Sequence, residues 1–119
     1  MSKPFILRED ERPALRKKVL TALKLGRKTA ITGKDLARFC NRPDDRLIRV
    51  VIDDLITEGV PIASSVTEPY GFYIVSNPEE AAEYMRVLKG RKQEIELRLK
   101  HFERACQSLG EIPQQPSLV

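Results

Sequence analysis

The stretch from Thr32 to Val75 constrains this chain most, because its punctuation leaves room for one order of elements. Thr32-Gly33-Lys34-Asp35-Leu36-Ala37 opens an apolar-patterned segment, with Thr32 placed to cap a helix by accepting an orphan backbone N–H. Leu36, Ala37 and Cys40 form its inner edge. Asn41-Arg42-Pro43 breaks it, since a proline pushes the residue before it out of helical backbone. A second segment starts with Asp44 as cap and Asp45 in the first turn, where a carboxylate suits the positive helix end. At about 100° per residue, Leu47, Ile48, Val51, Ile52 and Leu55 share one face, and Arg46, Arg49, Val50, Asp53 and Thr57 the opposite one. Gly59 closes this helix with a left-handed residue. Residues 60–65 and 71–75 then read as two strands, rich in β-formers and joined by a loop containing Glu68, Pro69 and Tyr70.

The flanks extend this helix, turn, helix, hairpin order. A first helix begins near Pro13, repeats apolar residues at Leu15, Val19, Ala22 and Leu23, and stops at Gly26. Arg16, Lys17, Lys18 and Lys24 cover its outer faces, and Ala30-Ile31 allows a very short strand. Residues 1–12 form an arm whose Phe5, Ile6 and Leu7 are too apolar for a free tail. After residues 13–76, Asn77 caps a last helix with Pro78 at its first position and Glu79 and Glu80 in its first turn. Its inward positions alternate in steps of four and three: Ala81, Met85, Leu88, Lys92, Ile95, Leu99, Phe102, Cys106 and Leu109. At 1.5 Å per residue such a helix is about 48 Å long, more than a small domain covers. A heptad stripe of this kind predicts a coiled coil with a second copy through Met85, Leu88, Ile95, Leu99, Phe102 and Cys106, with polar Lys92 setting register. The alternative is that the helix folds back over its own domain. The expectation is that residues 77–109 form a dimerisation helix and residues 110–119 a tail. The class is α+β.

Charge and cysteine content narrow the chemistry. Charged residues make up 32% of the chain, above the roughly 25% of average domains. Residues 1–60 hold 14 Lys and Arg against 9 Asp and Glu, whereas residues 61–119 hold 7 against 8. The basic excess coincides with the paired helices, which suits phosphate contact. Cys40 and Cys106 stand far apart, His101 is the lone histidine, and no C-x-x-C spacing occurs, so neither a zinc site nor a nucleophilic triad has its parts. Asp44-Asp45 and Asp53-Asp54 are neighbours that diverge by about 100° on a helix, unlike a converging catalytic pair. No Gly-rich phosphate loop, signal peptide or membrane span is present, so the expectation is a cytoplasmic, cofactor-free, non-enzymatic protein.

The run Arg46-Leu47-Ile48-Arg49-Val50-Val51-Ile52-Asp53-Asp54-Leu55-Ile56-Thr57-Glu58-Gly59-Val60-Pro61-Ile62-Ala63-Ser64-Ser65, followed by Gly71-Phe72-Tyr73-Ile74 and Asn77-Pro78-Glu79-Glu80, resembles small winged-helix proteins of phages and prophages. It is similar, more distantly, to the DNA-binding domain of the biotin-operon repressor. The resemblance spans about residues 13–105 and implies a three-helix core with a two-stranded wing. By position it implies that Arg42, Asp45, Arg46 and Arg49 meet double-stranded DNA, with Val50 against a thymine methyl. Lys34, Lys28, Arg16 and Lys17 then touch phosphates, in transcriptional regulation or a phage DNA process. Two features depart from the pattern: acidic residues flank the arginines, and the wing tip bears Glu68 but no Lys or Arg. The competing expectation is a protein–protein module on the same scaffold, with Ile56 as a contact.

Overall fold

A computed structural model describes residues 11–110, so most of the expected arm and tail lies outside the described residues. The architecture is α+β, with four α-helices and one two-stranded antiparallel sheet. The helices are α1 (Arg12–Ala22), α2 (Gly33–Phe39), α3 (Arg46–Thr57) and α4 (Pro78–Gln107), and the strands are β1 (Ile62–Ser65) and β2 (Gly71–Ile74). The chain divides after Tyr84 into two compact units.

One apolar cluster organises the first unit. Leu15, Val19 and Leu23 of the α1 region meet Leu36, Ala37 and Cys40 of the α2 region. Leu47, Ile48, Val51, Ile52 and Leu55, the whole predicted inner face of α3, are buried in it, and Ile62 of β1 completes it. No polar side chain is buried there. Burial pushes the Cys40 thiol up, leaving it a small core side chain.

The helix ends follow local chemistry. Thr32 caps α2, its hydroxyl accepting from the Asp35 N–H at 3.1 Å. Both α2 and α3 end in the same motif. Asn41 at φ 60° lets Arg42 donate to the Ala37 carbonyl, and Gly59 at φ 110° lets Val60 donate to that of Leu55. The α2 stop therefore precedes Pro43 and uses Asn41, which tolerates the left-handed region. Gly26 does not stop α1, which ends four residues earlier at Ala22. Instead Leu23 turns extended into the core, and the next residues pair with β2: Ile74 donates to the Lys24 carbonyl and Gly26 to that of Ile74. Tertiary pairing overrides helix propensity here. Gly26 then opens a 3-10 turn, Arg27–Thr29.

β1 and β2 pair from Ile62 with Ile74 to Ser65 with Gly71. The short strand expected at Ala30-Ile31 is a single antiparallel bridge between Ile31 and Phe72. That bridge demands Gly71. At φ +121°, an added Cβ would lie 2.2 Å from the Ile31 carbonyl group. On the sheet's other face, the cross-strand partners Ala63 and Tyr73 are buried, with Tyr73 beside Glu80, Glu83 and Tyr84 of the first turns of α4.

Glu80 ties α4 to this framework. Its carboxylate accepts from the backbone N–H groups of Arg27 and Ser76, each at 2.9 Å, while Asn77 Oδ1 accepts from the Glu80 N–H. Those donors hold its carboxyl below the usual glutamate range.

Gly71→Ala should destabilise the protein by about 2 kcal/mol or more, since strain and a backbone clash coincide; urea unfolding measures it. Glu58 and Glu80 both have carboxyls lowered by their partners in the fold. Their stabilisation is therefore complete above the unfolded glutamate value of 4.5 and is lost as pH falls through the lower folded values. Glu80→Gln should flatten the acid limb of a melting-temperature profile below that pH.

Candidate nucleic-acid interface

Because α3 buries one stripe, its opposite stripe must face solvent. Arg46, Arg49, Val50, Asp53 and Thr57 are all exposed. The turn from Asn41 to Asp45 sets how the first of these are presented. The expected cap is shifted by one residue: α3 begins at Arg46 with Asp45 in the cap position, and the Asp45 side chain makes no capping bond. Asp44 does that chemistry instead, its Oδ1 accepting from the Arg46 N–H at 3.1 Å. Its Oδ2 accepts from Arg46 Nε at 3.1 Å and lies 2.9 Å from a terminal guanidinium nitrogen. The Arg46 bonds hold the Asp44 carboxyl below its ordinary value.

Asp45 is drawn one turn along the helix. Its Oδ2 accepts from Arg49 Nε at 3.0 Å, and the Arg49 guanidinium stands 5.2 Å from the centre of the Phe72 ring on β2. Gly33, at the start of α2, makes room for this arrangement, since a Cβ there would lie 2.6 Å from Asp45 Oδ2. Asp44 and Asp45 are thus each engaged by an arginine of α3, whereas the exposed Asp53 enters no ion pair among the described residues.

Beside them, a cleft of about 450 Å³ is lined by Lys34, Ala37, Arg38, Arg42, Pro43, Asp44 and Asp45. Lys34 and Arg38 lie four residues apart on α2, so both side chains share a face. Arg38 pairs with Asp35 at 3.2 Å. Arg42 is half-buried, and its Nε is shielded from solvent with no hydrogen-bond partner. The α2–α3 corner therefore gathers Lys34, Arg38, Arg42, Arg46 and Arg49 against Asp35, Asp44 and Asp45, an excess of positive charge.

Not every expected contact joins this corner. Arg16 is held by Glu58 at the other end of α3, through two bonds of 2.7 and 2.6 Å, with Arg12 and Asp54 paired alongside. Arg16 thus ties α1 to α3, away from this corner. Lys17 on α1 and Lys28 in the 3-10 turn are exposed, and neither lines the cleft. Two cations escaped the sequence reading. Arg38 could have been found from its spacing to Lys34. Arg27, whose guanidinium donates to Thr67 Oγ1 at 3.0 Å, brings a positive charge to the hairpin loop from a distant segment, which spacing does not reveal. A second groove, about 580 Å³, runs between that loop and the start of α2, along Thr32, Asp35, Glu68 and Tyr70.

Among the described residues, no three His, Cys, Asp or Glu side chains are grouped as metal ligands, and no helix is long and apolar enough to cross a membrane. The proposed seam residues Met85, Leu88, Ile95, Leu99 and Phe102 are exposed along α4, and Cys106 is half-buried. No protein-family model, curated protein or solved structure matches this chain.

Gly33→Ala should leave the fold intact, because alanine suits the first helical turn, yet displace Asp45 from Arg49. In a nitrogen–proton spectrum the Arg49 Nε–H resonance should move by more than those of Arg12 and Arg16.

Proposed function

We propose that this chain is a winged-helix protein that binds double-stranded DNA through the first turns of α3, as a homodimer joined along α4. One observation carries the reading. Arg46 and Arg49 stand on the solvent face of α3, opposite its buried stripe, beside the Lys34, Arg38 and Arg42 cleft. The element order and the antiparallel hairpin after α3 support the fold reading. A helix with one face anchored in a core and arginines on the other suits insertion into the major groove. Arginine forks match guanine edges and phosphates in two-bonded geometry.

The Asp44 and Asp45 pairs refine the mechanism. In the unbound protein each carboxylate is paired with its arginine. A phosphate or base edge then competes with a surface carboxylate, an exchange with modest net cost because exposed ion pairs contribute little. Val50, exposed one turn on from Arg46 and next to Arg49, offers an apolar contact for a thymine methyl. The role belongs to the cytoplasm, in transcriptional regulation or another process on DNA.

Fluorescence anisotropy with a mixed-sequence duplex at two salt concentrations tests this. Binding should weaken steeply as salt rises, because phosphate contacts release counterions. Arg46→Ala with Arg49→Ala should lower affinity by about tenfold or more without unfolding the chain. Arg16→Ala should instead lower the melting temperature and leave affinity unchanged, since its guanidinium is bound to Glu58. No binding at low salt would overturn the reading and favour a protein-docking module using the exposed Ile56.

A further inference from the structure

We propose that the occupant of the α4 stripe is a second copy of this chain running parallel and in register, clamped by Arg91–Glu96 and Arg98–Glu103 pairs between the helices. This deepens the dimer reading above and rests on it.

The two units differ in how their charges are partnered. In the first unit, Arg12, Arg16, Arg38, Arg46 and Arg49 all have carboxylate partners within the chain. Among the described residues, Arg91, Glu96, Arg98 and Glu103 are exposed and enter no ion pair. They lie on the same stretch of α4 as the exposed Ile95, Leu99 and Phe102. An apolar stripe and a set of unpaired charges on one helix point to one covering surface that satisfies both.

The heptad gives each residue a place. Met85, Lys92, Leu99 and Cys106 occupy position a, and Leu88, Ile95, Phe102 and Leu109 position d. Arg91 and Arg98 then fall at g, and Lys89, Glu96 and Glu103 at e. These e and g positions flank the seam, where charge pairs choose the partner and its direction. In a parallel pair, a g residue meets the e residue five positions further along the other helix. Arg91 thus meets Glu96 of the second copy and Arg98 meets its Glu103. Symmetry repeats both contacts, and every one of them is attractive.

Antiparallel pairing sets g against g and e against e. Centred on the stripe, it opposes Arg98 to its own copy and Glu96 to its own copy, leaving only the Lys89–Glu103 contacts attractive. A shift of one heptad opposes Arg91 to Arg98 in one direction, or Glu96 to Glu103 in the other. Like charges meet in each of these registers. The parallel arrangement has one unfavourable layer, where Lys92 faces Lys92. A single polar residue at position a weakens a coiled coil but restricts it to the register that lets the side chain reach water.

Full-length protein tests the direction separately from DNA binding. Light scattering should give a dimer. Glu96→Arg with Glu103→Arg should raise its dissociation constant by about tenfold or more. Adding Arg91→Glu and Arg98→Glu should restore it, because both pairs reappear with exchanged signs. Mild oxidation should cross-link the dimer through Cys106, which faces its own copy at position a, and Cys106→Ser but not Cys40→Ser should abolish the product. A dimer that the fourfold reversal fails to restore overturns the parallel register while dimerisation stands. A monomer overturns both. Reading of DNA by α3 is measured by the salt titration and survives or fails independently.

Discussion

The burial of one stripe on α3 is the constraint on which the first unit depends. Leu47, Ile48, Val51, Ile52 and Leu55 together approach zero exposure. Each such side chain contributes about 1.5–3 kcal/mol by leaving water, so the helix cannot rotate about its axis without losing most of the core. Everything else is arranged to cover that stripe. α1 supplies Leu15 and Val19, α2 supplies Leu36 and Ala37, and the hairpin supplies Ile62 with Phe72 and Ile74 packed alongside. The same constraint fixes what cannot be buried: with five positions turned inward, Arg46, Arg49 and Val50 are left on the exposed side of the helix.

Polar contacts then add direction to a core that has little of its own. Arg12 and Arg16 fasten α1 to the C-terminal half of α3 through Asp54 and Glu58. Asp44 and Asp45 fasten two arginines at its other end. Exposed pairs like these add modestly to stability, and their main effect is on which guanidinium points where. Arg16 is consumed by the fold, while Arg46 and Arg49 are held by side chains that an anion could displace. Glu80 works in the same manner, using backbone donors from Arg27 and Ser76 to settle how the hairpin leads into α4. In the second unit no such pairing exists among the described residues. Residues 85–110 therefore keep their apolar stripe and their charges exposed.

Most local signals are legible where the responsible residues are close in sequence. The Thr32 cap, the Gly59 stop and the Asn77-Pro78 start follow from backbone groups within five residues. The Asn41 stop was masked by the more conspicuous Pro43 two residues later. Gly26 misled for a different reason, since α1 ends where Leu23 enters the core and residues 24–26 pair with β2, a contact some fifty residues away. The corner of basic residues was half visible. Arg42, Arg46 and Arg49 sit in one run, whereas Arg38 needed the helix face of α2, and the engagement of Asp45 with Arg49 needed Gly33 beneath it.

By itself, the sequence determined the number and order of elements, the buried face of α3 and the heptad stripe of α4. These depend on periodicities of two, 3.6 and 3.5 residues, which are local properties of the backbone. Only the tertiary structure decided which charges are spent inside the fold and which face outward. It alone gave Arg16 to Glu58, brought Arg27 to the hairpin loop and pressed Gly71 against Ile31. Such pairings join residues forty or more positions apart. Their geometry is set by how helices and sheet pack on the shared core, and no spacing along the chain encodes it.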